Sequence, residues 1–178
     1  VVQAGIEAMQ QEIAEVVLLG NADQIRNSAT SNSNLGRLTI INPLTSPDRS
    51  RYAEILITAR TKAQISIEKA KQQVQQPLVY ANCMVASGDV DGCVAGANIA
   101  TAEVIRHAIR IVGANPEFKL ASSFFLMLFD SATQGIQSPV LFADCGLVID
   151  PTASELAKIA AATAENARQG YCLQLQDW

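Results

Sequence analysis

The chain has 178 residues, of which 49% are hydrophobic and 17% are charged, and its net charge is -4. This composition is typical of a globular protein that can bury its own hydrophobic core. A weakly acidic chain lacks the basic field that attracts nucleic acids or anionic membranes, and no apolar run reaches the roughly 18 residues of a membrane span. We therefore expect a cytoplasmic protein with no nucleic-acid partner and no membrane partner.

The first part of the chain alternates helical and strand-like patterns. Residues Val2 to Glu15 have a helical pattern, and the run VVLLG that ends at Gly20 indicates a buried strand. Leu38 to Ile41 indicates a second short strand. Ser46 followed by Pro47 predicts the start of a helix, because serine caps helices and proline suits their first turn. Four residues of that helix share one apolar face: Tyr52, Ile55, Leu56 and Ala59.

Two further helices lead to a glycine-rich turn. Ser66 predicts the N-cap of one helix, and Pro77 predicts the first turn of the next, which runs to the sequence GDVDG at residues 88–92. Such a turn directs backbone N–H groups to one point. We expect the next helix to follow the turn directly, and its N-terminus would add partial positive charge, so an anion such as phosphate is the natural ligand. The alternative is an ordinary connection in which Asp89 and Asp91 close turns on their own backbone.

The remaining segments continue the alternation. The helix after the turn carries apolar side chains that we expect to face the core: Thr101, Val104, Ile105, Ala108, Ile109 and Val112. Beyond Pro116, the runs KLASSFFLMLF and PVLFADCGLVI predict two strands, and Thr152 and Glu155 form a capping box for a helix that ends near Gly170. This order predicts an α/β fold with a layered, largely parallel sheet flanked by helices.

The cysteines give no sign of a metal site. Cys83, Cys93, Cys145 and Cys172 are widely spread and form no CxxC or His-paired spacing. We expect reduced thiols and no bound metal, and we expect Cys145, which ends a strand-like run, to be a buried, inert thiol rather than a nucleophile.

Several motifs occur in an order that resembles the phosphate acetyltransferase (phosphotransacetylase) family. The chain reads RYAEILITARTKA, then MVASGDVDGCVAGANIATAEVIRHAIRI, FKLASSFFLM, FADC and DPTASELAKIA. The corresponding family blocks are RY...L...R..KG, MV..GDADG.VSGA..TTA...RPALQI, G.KL.SSFFLM, FADC and DPTA.ELA.IA. The resemblance runs from about Val1 to Arg168 and implies a phosphate acetyl/butyryltransferase-like fold.

The resemblance also implies an incomplete chain, because the family's proteins are considerably longer. We expect a fragment or a truncated homologue, in which residues 1–117 form most of a first α/β domain and residues 118–178 open a second. The implied activity is reversible acetyl transfer between acetyl phosphate and coenzyme A, giving acetyl-CoA and phosphate. Coenzyme A and acetyl-CoA are then substrates, no cofactor or metal is needed, and uncovered sheet edges favour a homo-oligomer.

Family positions suggest where the substrates bind. Arg60 and Arg106 match arginines that contact coenzyme A, with Lys62 and Arg110 in the same cluster, and we expect Arg60 and Arg106 to face one groove beside the GDVDG turn. Five residues are candidates for the acyl-phosphate side: Gly88, Asp89, Asp91, Gly92 and Thr101. The family's catalytic serine, arginine and aspartate lie in the portion that this chain does not match, so the catalytic base stays unassigned.

Some positions differ from the family pattern. Ala63 replaces a glycine, Ala95 a serine, Ala100 a threonine and His107 a proline. The loss of hydroxyls at Ala95 and Ala100 favours an alternative function, a non-catalytic acyl-CoA-binding or regulatory module. A third alternative is a structural fragment without ligand affinity.

Overall fold

The structure is a computed structural model that describes residues 1–29, 38–59, 65–129 and 139–170. Within these ranges, seven helices are formed: α1 (Val2–Gln10), α2 (Ala22–Asn27), α3 (Arg49–Ala59), α4 (Ile67–Gln73), α5 (Pro77–Ser87), α6 (Thr101–Ile111) and α7 (Ala153–Gly170). The same ranges contain four strands: β1 (Val17–Leu19), β2 (Thr39–Ile41), β3 (Phe124–Met127) and β4 (Val140–Ala143). The chain divides into two compact units, Val1–Gly113 and Ala114–Trp178. The assignment of residues 1–117 and 118–178 to the family's two domains stays a prediction.

The first unit contains a short parallel sheet. β1 pairs with β2 in the register Val17↔Thr39, Leu18↔Ile40 and Leu19↔Ile41. Helix α1 lies against β1, since a Cβ placed on Gly5 would be 3.5 Å from the side chain of Leu18. The prediction of a helix to Glu15 was too long: α1 ends at Gln10, and Glu12 adopts a φ of 55° in the turn that leads to β1.

The core of the first unit lies between α3, α4 and α5. Its buried residues are Tyr52, Ala53, Leu56, Ala70, Val74, Val79, Tyr80, Cys83, Met84 and Ile111. The rings of Tyr52 and Tyr80 meet edge to face with centroids 4.7 Å apart. The buried hydroxyl of Tyr80 forms a 2.6 Å hydrogen bond with that of Ser46, so the loop before α3 is tied to α5.

Several local predictions are confirmed. The side chain of Ser66 accepts a hydrogen bond from the backbone N–H of Lys69 at 3.3 Å and caps α4. Pro77 lies in the first turn of α5, and Gly88 ends that helix in the left-handed conformation with φ 74°. Ser46 accepts a hydrogen bond from the N–H of Asp48 at 3.2 Å, although α3 itself begins at Arg49. These signals were readable because each acts within a few residues.

For α6, one expectation was wrong and another is confirmed only in part. The helix does not follow the GDVDG turn directly, because the irregular segment 93–100 separates them. The expected apolar face is only partly covered: Ile109 and Val112 are exposed, whereas Ile111 is buried. Packing of α6 on α5 and α3 covers a face that includes Val104, Ala108 and Ile111, which overlaps the face favoured by apolar spacing only in part.

The second unit pairs β3 with β4 and packs α7 beside β4. The two predicted strands are confirmed, but they form an antiparallel pair, with Phe125 opposite Phe142. The capping box is also present, since Glu155 accepts a 2.8 Å hydrogen bond from the N–H of Thr152 and the hydroxyl of Thr152 accepts one from the N–H of Glu155 at 3.3 Å.

Among the described helices, none is both long and apolar enough to cross a membrane.

Candidate functional site

The GDVDG turn begins with a tightly bonded helix end. The backbone N–H of Gly88 donates to the carbonyl of Val85 at 3.1 Å, and that of Asp89 donates to the carbonyl of Met84 at 3.0 Å. Together with the positive φ of Gly88, this is the pattern by which glycine closes a helix and reverses the chain. The side chain of Asp89 is thereby directed back toward α3.

The carboxylate of Asp89 receives hydrogen bonds from two helices. Arg51 donates to both of its oxygens, at 2.6 Å to Oδ2 and 3.4 Å to Oδ1. The hydroxyls of Tyr52 and Ser87 each donate to Oδ2 at 2.6 Å. These four residues, Arg51, Tyr52, Ser87 and Asp89, are called the Asp89 cluster below.

The Asp89 cluster is attached to the core through Tyr52, of which only 2% is exposed. The guanidinium carbon of Arg51 lies 4.5 Å from the centroid of the Tyr52 ring, and an amino group of Arg51 donates to the Tyr52 hydroxyl at 3.0 Å. That hydroxyl therefore accepts from Arg51 while it donates to Asp89. The one polar atom of the Tyr52 side chain thus has both a donor and an acceptor as partners.

These contacts decide the protonation states in the cluster. Hydrogen bonds from Arg51 first, then from Ser87 and Tyr52, hold the pKa of Asp89 well below its usual range. Burial, followed by the hydrogen bond to Asp89, raises the pKa of Tyr52. Asp89 is therefore held as a carboxylate and is a weak base, which makes it a poor candidate for the catalytic base.

A shallow open groove of about 430 Å³ borders the cluster within the first unit. It is lined by residues of α3, α5 and the end of α6: Arg51, Glu54, Ile55, Thr58, Ala59, Ala86, Ile111 and Val112. Arg51 thus contacts both the groove and the GDVDG turn. Arg106 is not among the residues that line this groove.

The proposed coenzyme A residues are only partly described. Arg60 and Lys62 lie outside the described residues, so their expected proximity to Arg106 stays a prediction. Arg106 and Arg110 are exposed on α6, one turn apart on the same face.

The acyl-phosphate candidates fall at the two ends of one loop. Gly88, Asp89, Asp91 and Gly92 follow α5, and all four are exposed. Thr101 is the exposed first residue of α6, and the eight residues 93–100 separate it from the turn that ends at Gly92. The described contacts attach only the Asp89 end of this loop to the rest of the unit. The assignment of these residues to the acyl-phosphate side stays a prediction.

Sequence reasoning missed Arg51, Tyr52 and Ser87 as partners of Asp89. One signal was present, because the dipeptide RY at Arg51 and Tyr52 is part of the motif that carries the family resemblance. Nothing in the local pattern, however, connects that dipeptide with a turn 37 residues later.

Nothing in the described part of the chain gathers three or more histidine, cysteine or acidic side chains as a metal ion would require. Cys83 is fully buried, and burial raises the pKa of its thiol to about 12. Cys93 is exposed and Cys145 is half-buried beside Ser123, whose hydroxyl lies 3.4 Å from the sulfur.

Comparison with known proteins gives one consistent result. Residues 1–171 match the family model described as phosphate acetyl/butaryl transferase. The chain is 39% identical over 160 residues to the phosphate acetyltransferase of Thermoanaerobacterium thermosaccharolyticum. This match covers 90% of this chain and 48% of that protein. It is 34% identical over 167 residues to the phosphate acetyltransferase of Clostridium acetobutylicum, and this match covers 93% of this chain and 50% of that protein. The chain thus spans about half the length of the curated relatives it matches.

Solved structures agree with the sequence matches. A phosphotransacetylase from Streptococcus pyogenes superposes with a TM-score of 0.79 and 31% identity, covering 94% of this chain and 50% of that one. The EutD phosphotransacetylase from Staphylococcus aureus gives the same TM-score at 22% identity over 94% and 49% of the two chains, which is evidence for the fold alone. The expected α/β fold is confirmed. The chain belongs to the phosphate acetyl/butaryl transferase family.

Proposed function

We propose that the protein carrying this chain transfers an acetyl group reversibly between acetyl phosphate and coenzyme A, giving acetyl-CoA and orthophosphate. The observation that carries this proposal is the family match across residues 1–171. Because the chain spans about half of its relatives, we assign it part of the substrate-binding surface rather than the complete catalytic machinery.

The reaction has defined requirements. A base removes the thiol proton of coenzyme A, and the thiolate sulfur forms a bond to the acetyl carbon. The bond from that carbon to the phosphate oxygen then breaks, and phosphate leaves with the electron pair. Donors must stabilise the oxyanion and the departing phosphate, and removal of one such donor typically costs about 2.7–4 kcal/mol of barrier.

Coenzyme A binding is assigned to Arg60 and Arg106. Guanidinium groups bind phosphate oxygens in a bidentate manner, which suits the phosphates of coenzyme A. The exposed position of Arg106 and Arg110 on one face of α6 supports this role, since neither side chain is buried in the core. Lys62 and Arg110 would extend the cationic surface.

The acyl-phosphate side is assigned to the GDVDG turn and Thr101. The exposed backbone at Gly88 and Gly92 can approach a phosphate closely. Asp91 and Asp89 belong to this side by position, but the bonded carboxylate of Asp89 acts on the loop rather than on the proton of the thiol. We also propose a cytoplasmic location and a homo-oligomer, which rest on the sequence expectations.

The test uses the gene product that carries these 178 residues. Acetyl-CoA formation from acetyl phosphate and coenzyme A is followed by thioester absorbance, and coenzyme A binding is measured by calorimetry. We expect turnover and saturable binding. Binding without turnover would favour the non-catalytic acyl-CoA-binding or regulatory module, whereas the absence of both would refute each proposal.

Arginine variants test the proposed coenzyme A surface. Arg106→Ala should weaken coenzyme A binding about 10-fold or more, because a hydrogen bond to a charged group contributes about 1.5–3 kcal/mol. Arg26→Ala is the matched control, since Arg26 is an exposed helical arginine on α2 that pairs with Asp23 at 3.9 Å. Equal affinities for the two variants would remove Arg106 from the site.

A further inference from the structure

We propose that Asp89 is a positioning residue: held by Arg51, Tyr52 and Ser87, it fixes the start of the loop of residues 90–100, where acyl phosphate binds. This inference rests on the proposed function and adds a role for three residues that sequence reasoning did not assign. Asp89 acts through the loop backbone and makes no bond to the substrate.

The short hydrogen bonds around Asp89 are concentrated on one of its two oxygens. Oδ2 receives three hydrogen bonds of 2.6 Å, from Arg51, Tyr52 and Ser87. The single proton of Ser87 could instead go to the carbonyl of Cys83 or Met84, at 2.9 and 3.0 Å, but a carboxylate is the stronger acceptor. Oδ2 is therefore occupied within the protein, whereas Oδ1 receives only the longer 3.4 Å hydrogen bond from Arg51.

The cluster is also attached to the buried core at its α3 end. Exposed ion pairs usually contribute little, because both side chains are free to move. Here the pair is completed by the hydroxyl of Tyr52, whose ring is buried against Tyr80, and Tyr80 is bonded in turn to Ser46. Asp89 is consequently attached to the core and not only to a flexible arginine.

The loop that follows has few anchors of its own. Val90 packs against the core, whereas every residue from 91 to 98 is exposed. The path of this segment from α5 to Thr101 thus depends on how its first residues are held. Displacing the Asp89 end would displace the backbone at Gly92, to which the proposed function assigns phosphate contact.

The experiment compares steady-state kinetics of the gene product and four variants. Asp89→Asn removes the charge at constant size. Ser87→Ala removes one donor, and Ser87→Thr restores a hydroxyl at that position. The matched control is Asp48→Asn, because Asp48 lies 3.6 Å from Nε of the same Arg51 and is outside the Asp89 cluster.

A positioning role predicts a specific kinetic pattern. In Asp89→Asn, the KM for acetyl phosphate should rise about 10-fold or more while the KM for coenzyme A stays within about twofold, since misplacement of about 1 Å can cost 100-fold. Ser87→Ala should change in the same direction, and Ser87→Thr and Asp48→Asn should resemble the wild type. A purely structural role would lower the amount of active protein and leave both KM values unchanged, which would overturn the proposal.

Two further outcomes separate this proposal from the proposed function. If Asp89→Asn does not fold, the comparison of Ser87→Ala with Ser87→Thr decides, and equal KM values for acetyl phosphate would refute positioning. If the wild type forms no acetyl-CoA, the proposed reaction is refuted. Calorimetric titration of the wild type and of Asp89→Asn with acetyl phosphate then tests the positioning role by itself. An affinity that falls about 10-fold in Asp89→Asn would still support positioning, whereas equal affinities or no binding would refute it.

Discussion

At the scale of single residues, Asp89 is held by side chains from two helices, and this makes its ionisation part of the folding equilibrium. Hydrogen bonds from Arg51, Ser87 and Tyr52 lower its pKa in the folded protein. A carboxyl group with a lowered folded-state pKa stabilises the fold above the unfolded pKa of about 3.9, and this contribution is lost as pH falls toward the folded-state value.

The first prediction follows from the lowered pKa of Asp89 in the folded protein. Asp89→Asn should lower the Tm at pH 7, and the difference from the wild type should shrink steadily below about pH 5. Thermal unfolding between pH 7 and pH 3 measures it. The control Asp48→Asn should keep the wild-type dependence of Tm on pH, because Asp89 still titrates in that variant. A Tm difference between Asp89→Asn and the wild type that is constant across this range would contradict the prediction.

The second prediction concerns two thiols. Cys83 is fully buried with its pKa raised to about 12, whereas Cys93 is exposed. Because thiolates are the reactive species, a thiol reagent at about pH 8 should label Cys93 in the folded protein and Cys83 only after unfolding. Peptide mass spectrometry identifies the labelled residue, Cys93→Ser is the control, and labelling of Cys83 in the folded protein would disprove the prediction.

At the scale of elements, the end of α5 determines where the GDVDG turn begins. Gly88 has φ 74°, and a Cβ added there would meet nothing within 4 Å. The backbone conformation alone therefore opposes any other residue at this position.

The third prediction isolates that backbone effect. Gly88→Ala should lower the free energy of unfolding by about 1–2 kcal/mol, the usual cost of the left-handed conformation for a residue with a Cβ. Gly92→Ala is the matched control: its Cβ also meets nothing within 4 Å and its φ lies outside the left-handed region, so we expect a change within about 0.5 kcal/mol. Urea denaturation measures the free energy of unfolding of both variants. Equal losses of stability would show that the positive φ at Gly88 does not require glycine.

At the scale of the whole molecule, the length of the match limits what these residues do alone. The chain covers about half of the phosphate acetyltransferases it resembles. From the family resemblance we expect the catalytic serine, arginine and aspartate in the half of those proteins that this chain does not match. Binding requires mainly cations and an accessible surface, whereas turnover also requires a base and oxyanion donors.

The fourth prediction is that a polypeptide of these 178 residues binds coenzyme A weakly and turns over acetyl phosphate more slowly than about 1 per second, the lower end for ordinary enzymes. Calorimetry and the thioester assay measure the two properties on the same preparation. Arg26→Ala serves as the binding control for Arg106→Ala. Turnover at ordinary enzymatic rates would mean that residues within this chain supply the base.

The sequence alone determined the features whose causes are local. The Ser66 cap, the start of α5 at Pro77, its end at Gly88 and the capping box at Thr152 each depend on groups within a few residues, so their residue types could be recognised directly. The order of motifs likewise sufficed for the family and its α/β class, which the family match confirms.

Only the tertiary structure decided which distant groups meet. Asp89 has an ordinary turn position in the sequence, yet packing of α3 against α5 brings Arg51 and Tyr52 to its carboxylate across 38 and 37 residues. The same packing buried Ile111 of α6 and left Val112 exposed, against the expected apolar face. Periodicity defines which side chains share a face of a helix, but the neighbouring helices determine which face is covered, because burial depends on the contacts that the whole unit can form.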